Sequence, residues 1–293
     1  MALIAHLSDP HLGPTPPVTA GELMSKRLFG YLNWKRNRGL VYDNAVVEAL
    51  VADIAAAGPD HVAVTGDLVN LGLAAEFDAA RAWLATLGAA DDVTVVPGNH
   101  DAYVPGAFEA LTRAWQPFMA GDAGETVPFV RRRGAIALIG VTTAVATAPL
   151  MATGRIGAEQ ADALGRVLAD TGADGLFRIV LIHHPPQGRA THWHRRLTDA
   201  YRVRAAIRRR GAELVLHGHN HRFSLASLDG AHGPLPVIGA AAASVRPGSR
   251  RAGGSYNLVR VGGKTGAYRV DLTVRRLGVN GRVETVLDKR VVG

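Results

Sequence analysis

Short apolar, β-branched runs alternate with longer helical patterns through the first three quarters of the chain. The runs predict strands over 3–7, 61–65, 93–96, 136–141, 178–183 and 213–216. Apolar positions at helical spacing predict helices over 44–57, 74–87, 105–119, 158–171 and 199–210. Strands separated by helices of this length imply βαβ units, and so an α/β class in which a sheet is covered by helices. After Arg222 the pattern switches to strand-like alternation over 223–228, 235–241, 256–261, 267–276 and 282–291, punctuated by Gly and Pro. No repeat or long low-complexity linker marks a boundary. The expectation is one domain over 1–293, with a motif-bearing core at 1–222 and a strand-rich tail at 223–293 that completes the same sandwich.

At 293 residues, 47% hydrophobic and 20% charged, the chain can bury a sizeable core, and disordered, collagen-like and coiled-coil classes are excluded. It has no cysteine, which removes disulfides, thiol nucleophiles and iron–sulfur clusters together. Any metal site must then be built from His, Asp, Glu or Asn, a donor set suited to Mn, Fe, Zn or Mg. The net charge of +8 favours polyanions such as nucleic acid, anionic lipid headgroups or phosphorylated small molecules. Much of the excess lies in arginine clusters at 131–133, 195–196, 208–210, 250–251 and 275–276, which a GC-rich genome would also produce. No apolar stretch reaches the roughly 18 residues needed to span a bilayer. The N-terminus runs straight into Ser8-Asp9, so it reads as a first strand and the protein is expected in the cytoplasm.

The residues with chemistry follow the strands. They are Asp9-Pro10-His11, Gly66-Asp67, Gly98-Asn99-His100-Asp101, His183-His184 and His217-Gly218-His219-Asn220-His221. In α/β sheets ligands bind beyond the carboxyl ends of strands, so the five motifs should converge. Singly, each has an ordinary reading: a cap at Asp9, turns at 66–67 and 98–101, a core histidine within 183–184. Five such coincidences at successive strand ends are a poor account, and the donor types together describe a divalent-metal site.

In this order the motifs match D-x-H, G-D, G-N-H-[DE], H and G-H-x-H, and over 1–222 the chain resembles the calcineurin-like metallophosphoesterases. The resemblance implies a four-layer α/β/β/α sandwich holding two divalent metal ions (Mn, Fe or Zn). It places Asp9, His11, Asp67 and His221 on one ion and Asp67, Asn99, His183 and His219 on the other, with Asp67 as the bridge. His100 would face the leaving-group oxygen as proton donor or transition-state stabiliser, oriented by Asp101. The implied reaction is hydrolysis of a phosphodiester or pyrophosphate bond by a metal-bridging hydroxide. His184 is expected as a neighbour in the substrate pocket and His217 as a strand-end structural residue. His6, His61, His192, His194 and His232 have no motif context and read as solvated or structural.

Substrate choice should lie in 23–38, an insertion with five basic residues and no acidic one. Met24, Leu28, Tyr31 and Leu32 recur at helical spacing, and Phe29 and Trp34 add bulk. Such a helix can lie on an anionic membrane surface, cover an amphiphilic substrate, or simply pack. Lys26, Arg27, Trp34 and Arg36 are its candidate substrate contacts. Small phosphodiesters such as cyclic nucleotides, as in class III members of the family, and lipid precursors of the UDP-2,3-diacylglucosamine type are both compatible. Nucleic acid is not expected, for want of an aromatic single-strand platform. Nor is a non-enzymatic scaffold, since every ligand position holds the expected residue type. The oligomeric state is left open.

Overall fold

A computed structural model describes residues 1–187, 191–249 and 252–293; the arginine pair at 250–251 lies outside them. In chain order the strands are β1 (Ala2–Leu7), β2 (His61–Val64), β3 (Val93–Val95), β4 (Phe129–Arg133), β5 (Ile136–Gly140), β6 (Phe177–Ile182), β7 (Leu214–His217), β8 (Ser224–Gly230), β9 (Gly233–Gly239), β10 (Ser255–Lys264), β11 (Ala267–Leu277) and β12 (Val283–Val292). The helices are α1 (Ala20–Leu23), α2 (Arg27–Asn33), α3 (Gly39–Val41), α4 (Asn44–Ala57), α5 (Ala74–Leu87), α6 (Ala107–Met119), α7 (Ala158–Ala173) and α8 (Ala200–Arg210), with a π-helical turn, Trp34–Arg38, between α2 and α3.

The parallel strands read as unbroken apolar runs because both of their faces are buried. Along β6, Ile179 and Leu181 enter the layer between two sheets, while Val180 and Ile182 pack under α7 and α8. One sheet has the order β12-β11-β10-β1-β2-β3 and the other β4-β5-β6-β7-β9-β8. Ile4, Val259, Val270 and Leu272 of the first meet Leu138, Leu181 and Leu216 of the second. Outside, Leu50, Phe77 and Trp115 bring α4, α5 and α6 onto the first sheet. The result is the expected four-layer α/β/β/α sandwich. The tail contributes to both sheets: β10 pairs antiparallel with β1, and β9 parallel with β7.

One strand was not legible in the sequence. β4 reads Phe-Val-Arg-Arg-Arg and has no apolar alternation, because Arg131 takes an inward position. Its buried guanidinium donates to the carbonyls of Ala90 (2.5 Å), Val93 (2.9 Å), Pro117 (2.6 Å) and Ala120 (2.8 Å). Part of the basic excess is therefore internal structure. Arg178 similarly pairs with Glu213 at 2.6 Å, and Arg275 with Asp53 at 2.5 Å.

Candidate metal centre

β1, β2 and β3 of one sheet and β6 and β7 of the other point their carboxyl ends at one place, so the five motifs meet across two sheets and not along one. The loops there turn sharply. Six non-glycine residues among those described have positive φ, and five are Asp9 (52°), His11 (41°), Asp67 (56°), His219 (70°) and His221 (54°). Each such conformation costs on the order of 1 kcal/mol and persists only where the surroundings impose it. Two motif glycines allow the close approach. A Cβ on Gly98 would run into Asp67 Oδ1, and one on Gly218 into Ser8 Oγ and Asp9 Oδ2.

The hydrogen bonds fix which nitrogen each imidazole turns inward. His183 donates Nδ1–H to the Thr65 carbonyl at 2.6 Å, and His219 donates Nε2–H to the Arg195 carbonyl at 2.7 Å. Their other nitrogens face each other at 3.3 Å. Asn99 Oδ1 lies 3.3 Å and Asp67 Oδ2 3.5 Å from His183 Nε2. Four acceptors thus share one space with no donor among them when the imidazoles are neutral, an arrangement that needs a cation. In the protein alone a proton takes that place: burial opposes charge on His183, but Asp67 and Asp9 outweigh it and raise its pKa to about 9.

Beside it lies a second group, Asp9, His11, Asp67 and His221, whose ligand atoms all fall within 4.8 Å of one another. His221 Nε2 is 3.1 Å from Asp9 Oδ1 and 3.2 Å from His11 Nε2, while His221 Nδ1 meets the Tyr42 hydroxyl at 2.8 Å. His11 Nε2 is 3.8 Å from Asp67 Oδ2, the oxygen that also faces His183. Asp9 Oδ1 is buried without a hydrogen-bond donor. The residues present therefore fit two ions with Asp67 between them. The outer nitrogens of His183, His219 and His221 are held by protein carbonyls or a hydroxyl, which is how ligand orientation is usually set, whereas His11 Nδ1 is buried without a partner among the described residues.

Two expected roles change. Asp101 does not orient His100. Its carboxylate accepts from four backbone amides, Gly98 (2.7 Å) and Asp67 (2.8 Å) on Oδ2, and Leu68 (2.8 Å) and Val69 (3.1 Å) on Oδ1. His100 is held instead by the Asn70 carbonyl, which accepts from its Nδ1 at 2.8 Å, and by stacking on Tyr103. Burial, then the Arg38 charge, push the His100 pKa down to about 3, so the ring is neutral in the unliganded protein. His184 is fully buried and has no nitrogen to offer a substrate: Nδ1 meets Thr143 Oγ1 at 2.7 Å and Nε2 the Ala152 carbonyl at 3.2 Å. The same bonds withhold it from an ion shared with His183 and His219.

The insertion also differs. Lys26 donates to Thr147 Oγ1 (2.6 Å) and the Met151 carbonyl (2.9 Å), and Arg27 to the carbonyls of Leu71 (3.0 Å) and Gly72 (2.6 Å). Trp34 packs toward Tyr42 and Val245, and Arg36 is exposed. None of these lines the cleft of about 680 Å³ over the candidate ligands. Asn33, Asn37 and Arg38 do, with Tyr42, His192 and Arg195. Arg38 Nη1 comes within 3.4 Å of His100 Nδ1, and Arg195 donates to the His219 carbonyl at 3.0 Å. His6 and His61 are buried on threonine hydroxyls, as structural histidines should be.

The family model for calcineurin-like phosphoesterases matches residues 2–223. No curated protein matches the sequence significantly. Among solved structures, a dimetal phosphatase from Danio rerio superposes over 98% of this chain and 99% of its own, at 12% identity and a TM-score of 0.58. A purple acid phosphatase from yellow lupin (Lupinus luteus) seeds superposes over 97% of this chain and 52% of its own, at 11% identity and a TM-score of 0.59. At such identities the likeness is one of fold.

Proposed function

The chain belongs to the calcineurin-like phosphoesterase family, a class of metal-dependent phosphoester hydrolases, and on that premise we propose that it cleaves a diphosphate or phosphodiester bond at the Asp67 cluster. The observation that carries the reading is the set of four mutually facing acceptors on His183, His219, Asn99 and Asp67. One ion would be held by Asp9, His11, Asp67 and His221, the other by Asp67, Asn99, His183 and His219. Ions bound there supply positive charge to the phosphoryl oxygens and lower the pKa of water.

The chain's own residues supply position and charge. His100, neutral and held through its Nδ1–H, keeps Nε2 as an acceptor on the cleft, so it donates to a substrate oxygen only once a proton is added to that nitrogen. Arg38 and Arg195 reach the cleft from separate segments and give two guanidinium groups beside the candidate ligands. Two such groups suit a substrate with a second phosphate next to the scissile one, which favours a diphosphate over a simple diester. A lipid-precursor pyrophosphatase of the UDP-2,3-diacylglucosamine type fits this charge pattern; cyclic nucleotides use less of it.

The test is hydrolysis, with Mn²⁺, Fe²⁺ or Zn²⁺ supplied, of a nucleoside diphosphate diester, a cyclic nucleotide and bis(p-nitrophenyl) phosphate. The diphosphate should be preferred, and Arg38→Met should raise its KM far more than that of the chromogenic diester. Preference for the cyclic nucleotide, or an equal effect of Arg38→Met on both, would overturn the assignment.

A further inference from the structure

Three segments make the rim of the cleft: the insertion at 23–38, the loop at 147–155 and residues 191–198. They are joined to one another. Lys26 bonds Thr147 Oγ1 and the Met151 carbonyl. Ala152 N–H donates to the His194 carbonyl at 2.9 Å, and Gly154 N–H to the Arg196 carbonyl at 3.1 Å. Each segment also carries large apolar side chains in solvent: Met24 is 88% exposed, Phe29 52%, Leu150 82% and Trp193 69%, with Leu28 and Leu32 alongside.

Leu150 is the sixth residue with positive φ, at 67°, and the one outside the candidate ligands. A leucine strained into that conformation gains nothing from packing when its side chain stands in water. The charge of these segments is one-sided. They contain Lys26, Arg27, Lys35, Arg36, Arg38, Arg155, Arg195 and Arg196, and no Asp or Glu. Lys35, Arg36, Arg155 and Arg196 are exposed. Apolar side chains set among basic ones, with no acidic residue, complement a surface that is apolar below and anionic above. A second copy of the chain would bring like charges together.

We propose that this rim docks on an anionic phospholipid surface, with the mouth of the cleft at the headgroups. The inference rests on the surface and not on the reaction assigned above. Helix crossing is not involved, since no helix among the described residues is long and apolar enough to span a bilayer.

The experiment is flotation of the full chain with phosphatidylcholine vesicles with and without phosphatidylglycerol, at low and high salt. The quadruple variant Met24→Asp, Phe29→Asp, Leu150→Asp, Trp193→Asp is run beside it. Wild type should float with the anionic vesicles only, less at high salt, and the variant should bind at least tenfold more weakly. Its turnover of a soluble chromogenic phosphodiester should be unchanged, showing that it folds. Absence of flotation with anionic vesicles, or equal flotation of the variant, overturns the proposal. So does concentration-dependent dimerisation that the variant abolishes, because a second copy would then be what covers the rim.

Discussion

Replacing Asp101 by Asn separates two accounts of this residue. The change keeps shape and removes one charged acceptor. In the structure each carboxylate oxygen takes two backbone amides, from Gly98 and Asp67 on Oδ2 and from Leu68 and Val69 on Oδ1. Whichever way the amide is placed, its NH₂ faces two N–H donors, and two buried amides lose their acceptor. At about 1–3 kcal/mol for each, the loss is about 2–6 kcal/mol, before the weakening of the two remaining bonds is counted. For a chain of this size that lowers Tm by roughly 3–10 °C. The same amides shape the loops that carry Asp67, Asn99 and His100, so metal affinity should fall roughly 10–100-fold. Differential scanning calorimetry and metal titration of Asp101→Asn read both effects. If Asp101 instead oriented His100, the variant would melt as wild type and keep its metals while kcat alone fell; that outcome would refute the reasoning.

Two further outcomes follow from the same contacts. Tyr42→Phe removes the hydroxyl that meets His221 Nδ1 at 2.8 Å but keeps the ring stacked on His11, with centroids 5.0 Å apart. Affinity for one of the two ions should drop roughly tenfold with Tm unchanged, and a titration in which both ions weaken equally contradicts the placement. Arg131→Met strands the four carbonyls that its guanidinium bonds. A loss of about 3–5 kcal/mol is expected in denaturant unfolding, with metal stoichiometry kept, and a wild-type midpoint contradicts the structural role.

The ligand candidates were legible because their chemistry is compressed into short motifs at strand ends. Asp9 and His11, or His219 and His221, lie two apart, and only a sharp turn brings both side chains to one ion. What surrounds them was not legible. Asp101 stands beside His100 in sequence, yet its partners are the amides of 67–69 and 98. Tyr42 and Arg195 act through contacts more than twenty residues away. Lys26 and Arg27 looked available to a substrate because charge usually means solvent, but carbonyl groups of 71–72 and 151 had already claimed them. The insertion does reach the cleft, through Asn33, Asn37 and Arg38. β4 escaped notice because a buried arginine erases the alternation by which strands are read.

The central claim is that Asp67 lies between two ions. Elemental analysis and Mn²⁺ titration of metal-depleted protein test it most directly, on wild type and on Asp67→Ala with its fold checked by circular dichroism. Two ions per chain in wild type, and loss of both together with activity in a folded Asp67→Ala, is the result predicted. A folded variant that retains stoichiometric metal and turns over normally, or wild type that binds a single ion, would contradict it.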